Sequence, residues 1–147
     1  MAAGFLQEKL HQEGLEGKYR VRSAGVWALE NQPPSAFACQ VLAERGIDIS
    51  DHRGHDLTLE DVEEADLILT MEQGQAEAVK VEFPQHSHKV YLLSEMIGHR
   101  YDIPDPYGGS LYEYRQCAYE IEKLVDEGFP RIMELLGHKL RKAKGET

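Results

Sequence analysis

The run Asp66-Leu67-Ile68-Leu69-Thr70-Met71 constrains the fold more than any other stretch of the sequence. A continuous apolar run this short, bounded by polar residues, reads as a strand covered on both faces, because a strand with one wet face would alternate. A second strand is expected over Val90–Leu93 in "HKVYLLSEM". A third is expected over "KYRVRSAG", where Tyr19, Val21 and Ser23 alternate into a glycine turn. Helical segments separate the strands. "MAAGFLQEKLHQEG" places Phe5, Leu6 and Leu10 at helical spacing, with Gly14 suited to the position after the helix end. Ser35, after two prolines, caps a helix running to about Arg45, with Gly46 as its stop. Thr58 opens a short helix with Asp61 three residues on, close to a capping box. A further helix spans about Gln73 to Val81, and Ser110 with Glu113 opens a long one. That last helix runs through Leu124, and Gly128 and Pro130 are expected to kink or interrupt it. Strands alternating with helices imply an α/β fold, a doubly wound parallel sheet with three visible strands and helices on both faces.

Length and composition set outer limits. The chain has 147 residues, enough for one domain with a real core, read as 1–138 followed by a basic tail over 139–147. No apolar run approaches the roughly 20 residues of a membrane span. The N-terminal residues have neither a basic start nor a signal-peptide core, so a cytoplasmic protein is the default. Net charge is −10, which argues against a nucleic-acid partner. No cysteine or histidine cluster has metal-site spacing.

Cys39 and Arg45, in "CQVLAERG", are separated by five residues. That is the spacing of a cysteine nucleophile and a phosphate-binding arginine. A phosphate loop needs glycines and turn residues so that backbone N–H groups converge on the anion. "QVLAE" holds only helix formers between a capping serine and a stopping glycine. On a helix the two side chains point roughly 120° apart and lie about 9 Å apart along the axis. Cys39 is therefore expected to be an inert, packed thiol. "IPDPYGGS" is the better lead. Asp105 lies between two prolines, an aromatic follows, and two glycines turn the chain into the capped helix. A carboxyl group on a stiff loop at the ligand end of a parallel sheet suits a general acid. The alternative is a plain Asp-Pro turn.

"RVRSAGVWALENQPPS", "DHRGHDLT", "EEADLILTM" and "DPYGGSLYEYRQC" together resemble, in order and spacing, the low-molecular-weight protein-tyrosine phosphatase family, which includes bacterial protein-arginine phosphatases. The resemblance runs from Met1 to about Leu136. It implies a four-stranded parallel sheet and a C-x5-R-S phosphate loop between the first strand and first helix. Met1 is similar to the residue just after that loop, so the strand, the nucleophilic cysteine and the arginine are expected to fall upstream of it. Without them, the neighbouring strands would stand about 9–10 Å apart instead of one ladder spacing. The 147 residues are then expected to be poorly stable as a monomer, unless a partner strand or re-pairing fills the gap, and inactive by themselves.

The resemblance also implies roles. Asp105 would protonate the leaving group and later help activate water against the cysteinyl-phosphate. Tyr107 would wall the substrate cleft, with Leu29 and Glu30 on the loop lining the other wall and Trp27 near it. Ser23 and His52 would brace the phosphate loop. Many members carry arginine three residues after that histidine; His55 stands there in this chain, which puts any ion pair of that arginine in doubt. The implied substrate is a phosphorylated protein or a small aryl phosphate, with no cofactor, nucleic acid or membrane involved. The alternatives are a protein-arginine phosphatase of the same fold, and a non-catalytic phosphatase-like binding protein.

Overall fold

A computed structural model describes residues 1–25 and 34–137. The order is α1 (Ala2–Gln12), α2 (Ala36–Ala43), α3 (Leu59–Glu64), β1 (Ile68–Thr70), α4 (Gln73–Glu82), β2 (Val90–Leu92) and α5 (Leu111–Leu135). Short 3₁₀ turns occupy Pro84–Lys89 and Leu93–Ile97. Residues 26–33, ahead of the Ser35 cap, and the basic tail over 139–147 lie outside the described residues.

The sheet is parallel, as the alternation of elements requires. β1 pairs with β2 in the register Ile68↔Val90, Leu69↔Tyr91 and Thr70↔Leu92. It holds two strands among the described residues, not three. "KYRVRSAG" forms no strand; it makes isolated bridges at Tyr19, to Glu16, and at Gly25, to Asp56. There Gly25 N–H donates to the His55 carbonyl and Leu57 N–H donates to the Gly25 carbonyl, both at 2.9 Å. Alternation of side chains makes a strand possible, but a strand exists only when a neighbour accepts its ladder bonds. The same lack shows in β1, whose one strand neighbour among the described residues is β2. Ile68 and Leu69 are half-buried, where the apolar run led to full burial on both faces.

The helix starts follow the sequence. Ser35 Oγ accepts from Ala38 N–H at 3.2 Å and donates to Tyr114 Oη at 3.1 Å, joining the start of α2 to α5. Thr58 and Asp61 form a capping box on α3, and Ser110 and Glu113 form one on α5. Arg45 does not converge with Cys39. Its guanidinium bonds Glu122 at 3.0 Å and lies over the Phe5 ring, while Cys39 packs half-buried against the core.

α5 departs from expectation by running unbroken through Gly128 and Pro130. Proline removes one backbone donor and normally kinks a helix. Here Phe129, Ile132 and Met133 are all buried, so packing holds the second half of the helix in line. Gly128 is needed for close approach: a Cβ there would sit 2.6 Å from the Met96 Cβ. The main core gathers Leu10, Leu42, Leu93, Leu124, Ile132 and Met133 where α1, α2 and the Leu93–Ile97 turn close on α5.

Candidate active site

The loop between the Leu93–Ile97 turn and α5 carries Asp105, and its approach is anchored one residue at a time. Tyr101 is bound twice by Ser94, which accepts from Tyr101 N–H at 3.0 Å and donates to Tyr101 O at 2.9 Å. Asp102 Oδ1 accepts from Gln73 N–H at 2.9 Å, satisfying a free donor at the start of α4. Ile103 is buried and donates its N–H to Met71 O at 2.9 Å, just past the end of β1. The Pro104 carbonyl accepts from the Cys117 thiol of α5 at 3.9 Å. Four consecutive residues are thus tied to four different elements.

Beyond these anchors the carboxylate stands in solvent. Asp105 is exposed, and its Oδ1 accepts the Tyr107 N–H at 3.0 Å, which fixes the carboxylate relative to the aromatic ring. Tyr107 is 81% exposed, so its ring stands outside the core. The chain then turns back. Gly109 N–H donates to Pro106 O at 2.8 Å, with Gly108 at φ +83°, a conformation that suits glycine. Gly109 has no room for a side chain, because a Cβ would lie 2.5 Å from Glu113 Oε1, the atom that accepts Ser110 N–H.

The start of α1 opens on the same corner. It has no side-chain cap, so its first N–H groups present the positive end of the helix dipole. The Met1 amino group feels the charges of Cys117 and Asp105. Burial nevertheless dominates and pushes it below its ordinary value. Burial likewise pushes the Cys117 thiol up; the charge of the amino terminus opposes it, and Asp105 and Glu120 add smaller upward contributions. A thiol held protonated and bonded to a carbonyl is a poor nucleophile.

A second polar group ties residues 22–25 to the loop over 52–57. Asp61 takes Arg22 on Oδ1 at 2.9 Å and His55 on Oδ2 at 2.7 Å, and Arg22 reaches Glu64 at 3.3 Å. Histidine at position 55 thus hydrogen-bonds the Asp61 carboxylate. Burial alone would raise the Asp61 carboxyl, but hydrogen bonds from Thr58 and His55 outweigh it and hold it below its ordinary value.

The decisive finding is a match of residues 1–142 to the model of the low molecular weight phosphotyrosine protein phosphatase family. The chain belongs to that family. Among curated family members, it is 37% identical over 130 residues to a probable low molecular weight protein-tyrosine-phosphatase of Ralstonia nicotianae, covering 88% of each chain. It is 36% identical over 127 residues to a protein-arginine-phosphatase of Geobacillus stearothermophilus, covering 86% of this chain and 82% of that one. The crystal structure of a low molecular weight protein tyrosine phosphatase from T. tengcongensis superposes with a TM-score of 0.83 at 36% identity, covering 88% of each chain. This is the α/β fold expected from the order of elements.

Of the expected family site residues, the structure brings Asp105 and Tyr107 together on one turn. Ser23 and His52 are exposed on the two segments that the Gly25–Asp56 bridge draws near each other. Among the described residues, no hydrogen bond joins either side chain to Asp105 or Tyr107. Trp27, Leu29 and Glu30 lie outside the described residues. Sequence reasoning missed Ser94, Asp102 and Cys117 as supports of the Asp105 loop. Their bonds reach across 7, 29 and 13 residues respectively and leave no periodic signal. Among the described residues, no helix is long and apolar enough to cross a membrane, and no group of His, Cys, Asp and Glu is gathered for a metal ion.

Proposed function

We propose that this chain serves the dephosphorylation of protein side chains, with Asp105 as the general acid. The observation that carries the assignment is its exposed carboxylate on a loop fixed to four elements, one turn from the open Tyr107 ring. When phosphorus is attacked by a thiolate, the leaving oxygen takes a proton from Asp105. The resulting carboxylate then accepts a proton from the water that hydrolyses the cysteinyl-phosphate. Tyr107 would flank an aromatic leaving group. Ser23 and His52 would brace the phosphate-binding segment, and Trp27, Leu29 and Glu30 would supply the opposite wall.

Neither cysteine fills the nucleophile's place. Cys39 packs on α2 and Cys117 donates to a carbonyl. Phosphotyrosine is the proposed substrate, and phosphoarginine is the second reading because curated relatives carry both activities in their names. The test is hydrolysis of phosphotyrosine and phosphoarginine peptides by the complete polypeptide that the gene encodes. Turnover is expected, and Asp105→Asn is expected to lower it by about a hundredfold or more. A variant as fast as the parent would remove Asp105 from the role. A stable fold without turnover would leave a phosphatase-like binding protein.

A further inference from the structure

We propose that Ser94 is a positioning residue for the general acid: its buried hydroxyl fixes residue 101, and through it the direction in which Asp105 is presented. The inference rests on the assignment of Asp105 as the acid.

Ser94 is 0% exposed, one of two buried polar residues among those described. A hydroxyl removed from water is tolerated when its hydrogen bonds are made inside the protein. Both side-chain bonds of Ser94 go to one residue seven positions on, to the N–H and the carbonyl of Tyr101. The Ser94 carbonyl also accepts His99 N–H at 3.2 Å, so the intervening loop closes on this residue. The clamp stands on a rigid base. Ser94 lies in the Leu93–Ile97 turn, whose Leu93 and Met96 are buried in the core with α5. On the far side of residue 101, the phenol donates to Glu120 of α5. Burial first, and then that hydrogen bond, pushes it up to about 12. Residue 101 is thus held at backbone and side chain, four positions before Asp105. Removing the Ser94 hydroxyl leaves the Tyr101 N–H without its partner and frees the loop at its upstream end.

Chemistry separates positioning from general stability. A general acid matters for a poor leaving group and little for one that departs as a stable anion. The experiment measures kcat/KM of the complete encoded polypeptide on phenyl phosphate and on dinitrophenyl phosphate. Ser94→Ala is expected to lose about tenfold on phenyl phosphate and less than about twofold on dinitrophenyl phosphate. Ser94→Thr, which keeps the hydroxyl, is expected to recover most of the loss. Asp105→Asn should show the same split, only larger. In the 147-residue chain, Ser94→Ala should speed hydrogen exchange at Tyr101 and Ile103 and leave the centre of α5 unchanged. Should Ser94→Ala fail to fold, Ser94→Cys carries the same comparison. Equal loss on both substrates, or no loss, overturns the positioning role. A missing split in Asp105→Asn, or no turnover by the parent, overturns the acid assignment and this inference with it.

Discussion

At Gly128 the backbone of α5 touches the side chain of Met96, and the consequence reverses an ordinary rule. Replacing a mid-helix glycine by alanine normally stabilises by about 1 kcal/mol. Here the added methyl would meet the Met96 Cβ at 2.6 Å, an atom close to the backbone that cannot swing aside. Gly128→Ala is expected to destabilise by about 1–3 kcal/mol, read as a lower midpoint of denaturant unfolding with unchanged slope. A higher midpoint would show that the Leu93–Ile97 turn yields. Helical periodicity marked Gly128 as a weak point because it sees only the helix, whereas the contact belongs to a partner 32 positions away by sequence number. Asp61 gives a second residue-scale test. Its folded carboxyl is held below the ordinary 3.8, so its contribution is present above that value and lost as pH falls through the lower folded one. Asp61→Asn is expected to unfold at a lower temperature than the parent at neutral pH, with the gap closing below about pH 4. A gap independent of pH would mean that the carboxylate charge is not what ties Arg22 and His55 to α3.

Among the elements, helices were legible and the sheet was only half so. Ser35, Thr58 and Ser110 announce helix starts because capping is local: donor and acceptor lie within three residues. A strand is settled by its neighbours. Tyr19, Val21 and Ser23 alternate correctly, yet residues 20–24 remain outside any ladder, and β1 and β2 are three residues each. A two-strand parallel sheet of this length has little protection of its own. Backbone amides of Ile68, Leu69 and Thr70 are therefore expected to exchange with solvent faster than those of Ala118, Ile121 and Leu124 in α5. Mass-resolved hydrogen exchange on the 147-residue chain measures both. Slower exchange in the sheet would require a ladder partner on the outer edge of β1.

On the scale of the whole molecule, the sequence order already implied a parallel sheet with the Asp105 loop at its ligand end, because topology follows from alternation. The supports of that loop were hidden, because Ser94, Asp102 and Cys117 act across distances that no local pattern records. The assembled chain holds the Asp105 carboxyl, the exposed Tyr107 ring and an uncapped helix start in one corner, yet no thiol there is free to attack. Cys117 is half-buried, raised by its surroundings and bonded to Pro104 O; Cys39 is half-buried on another helix. An acid can only assist a displacement that a nucleophile has begun. The 147 residues alone are therefore expected to release no nitrophenol from p-nitrophenyl phosphate above the buffer rate. Replacing both cysteines by serine should leave that rate unchanged. Measurable turnover that disappears in the double variant would mean that one of these thiols becomes reactive in solution, and the placement of Cys39 and Cys117 outside the chemistry would then be wrong.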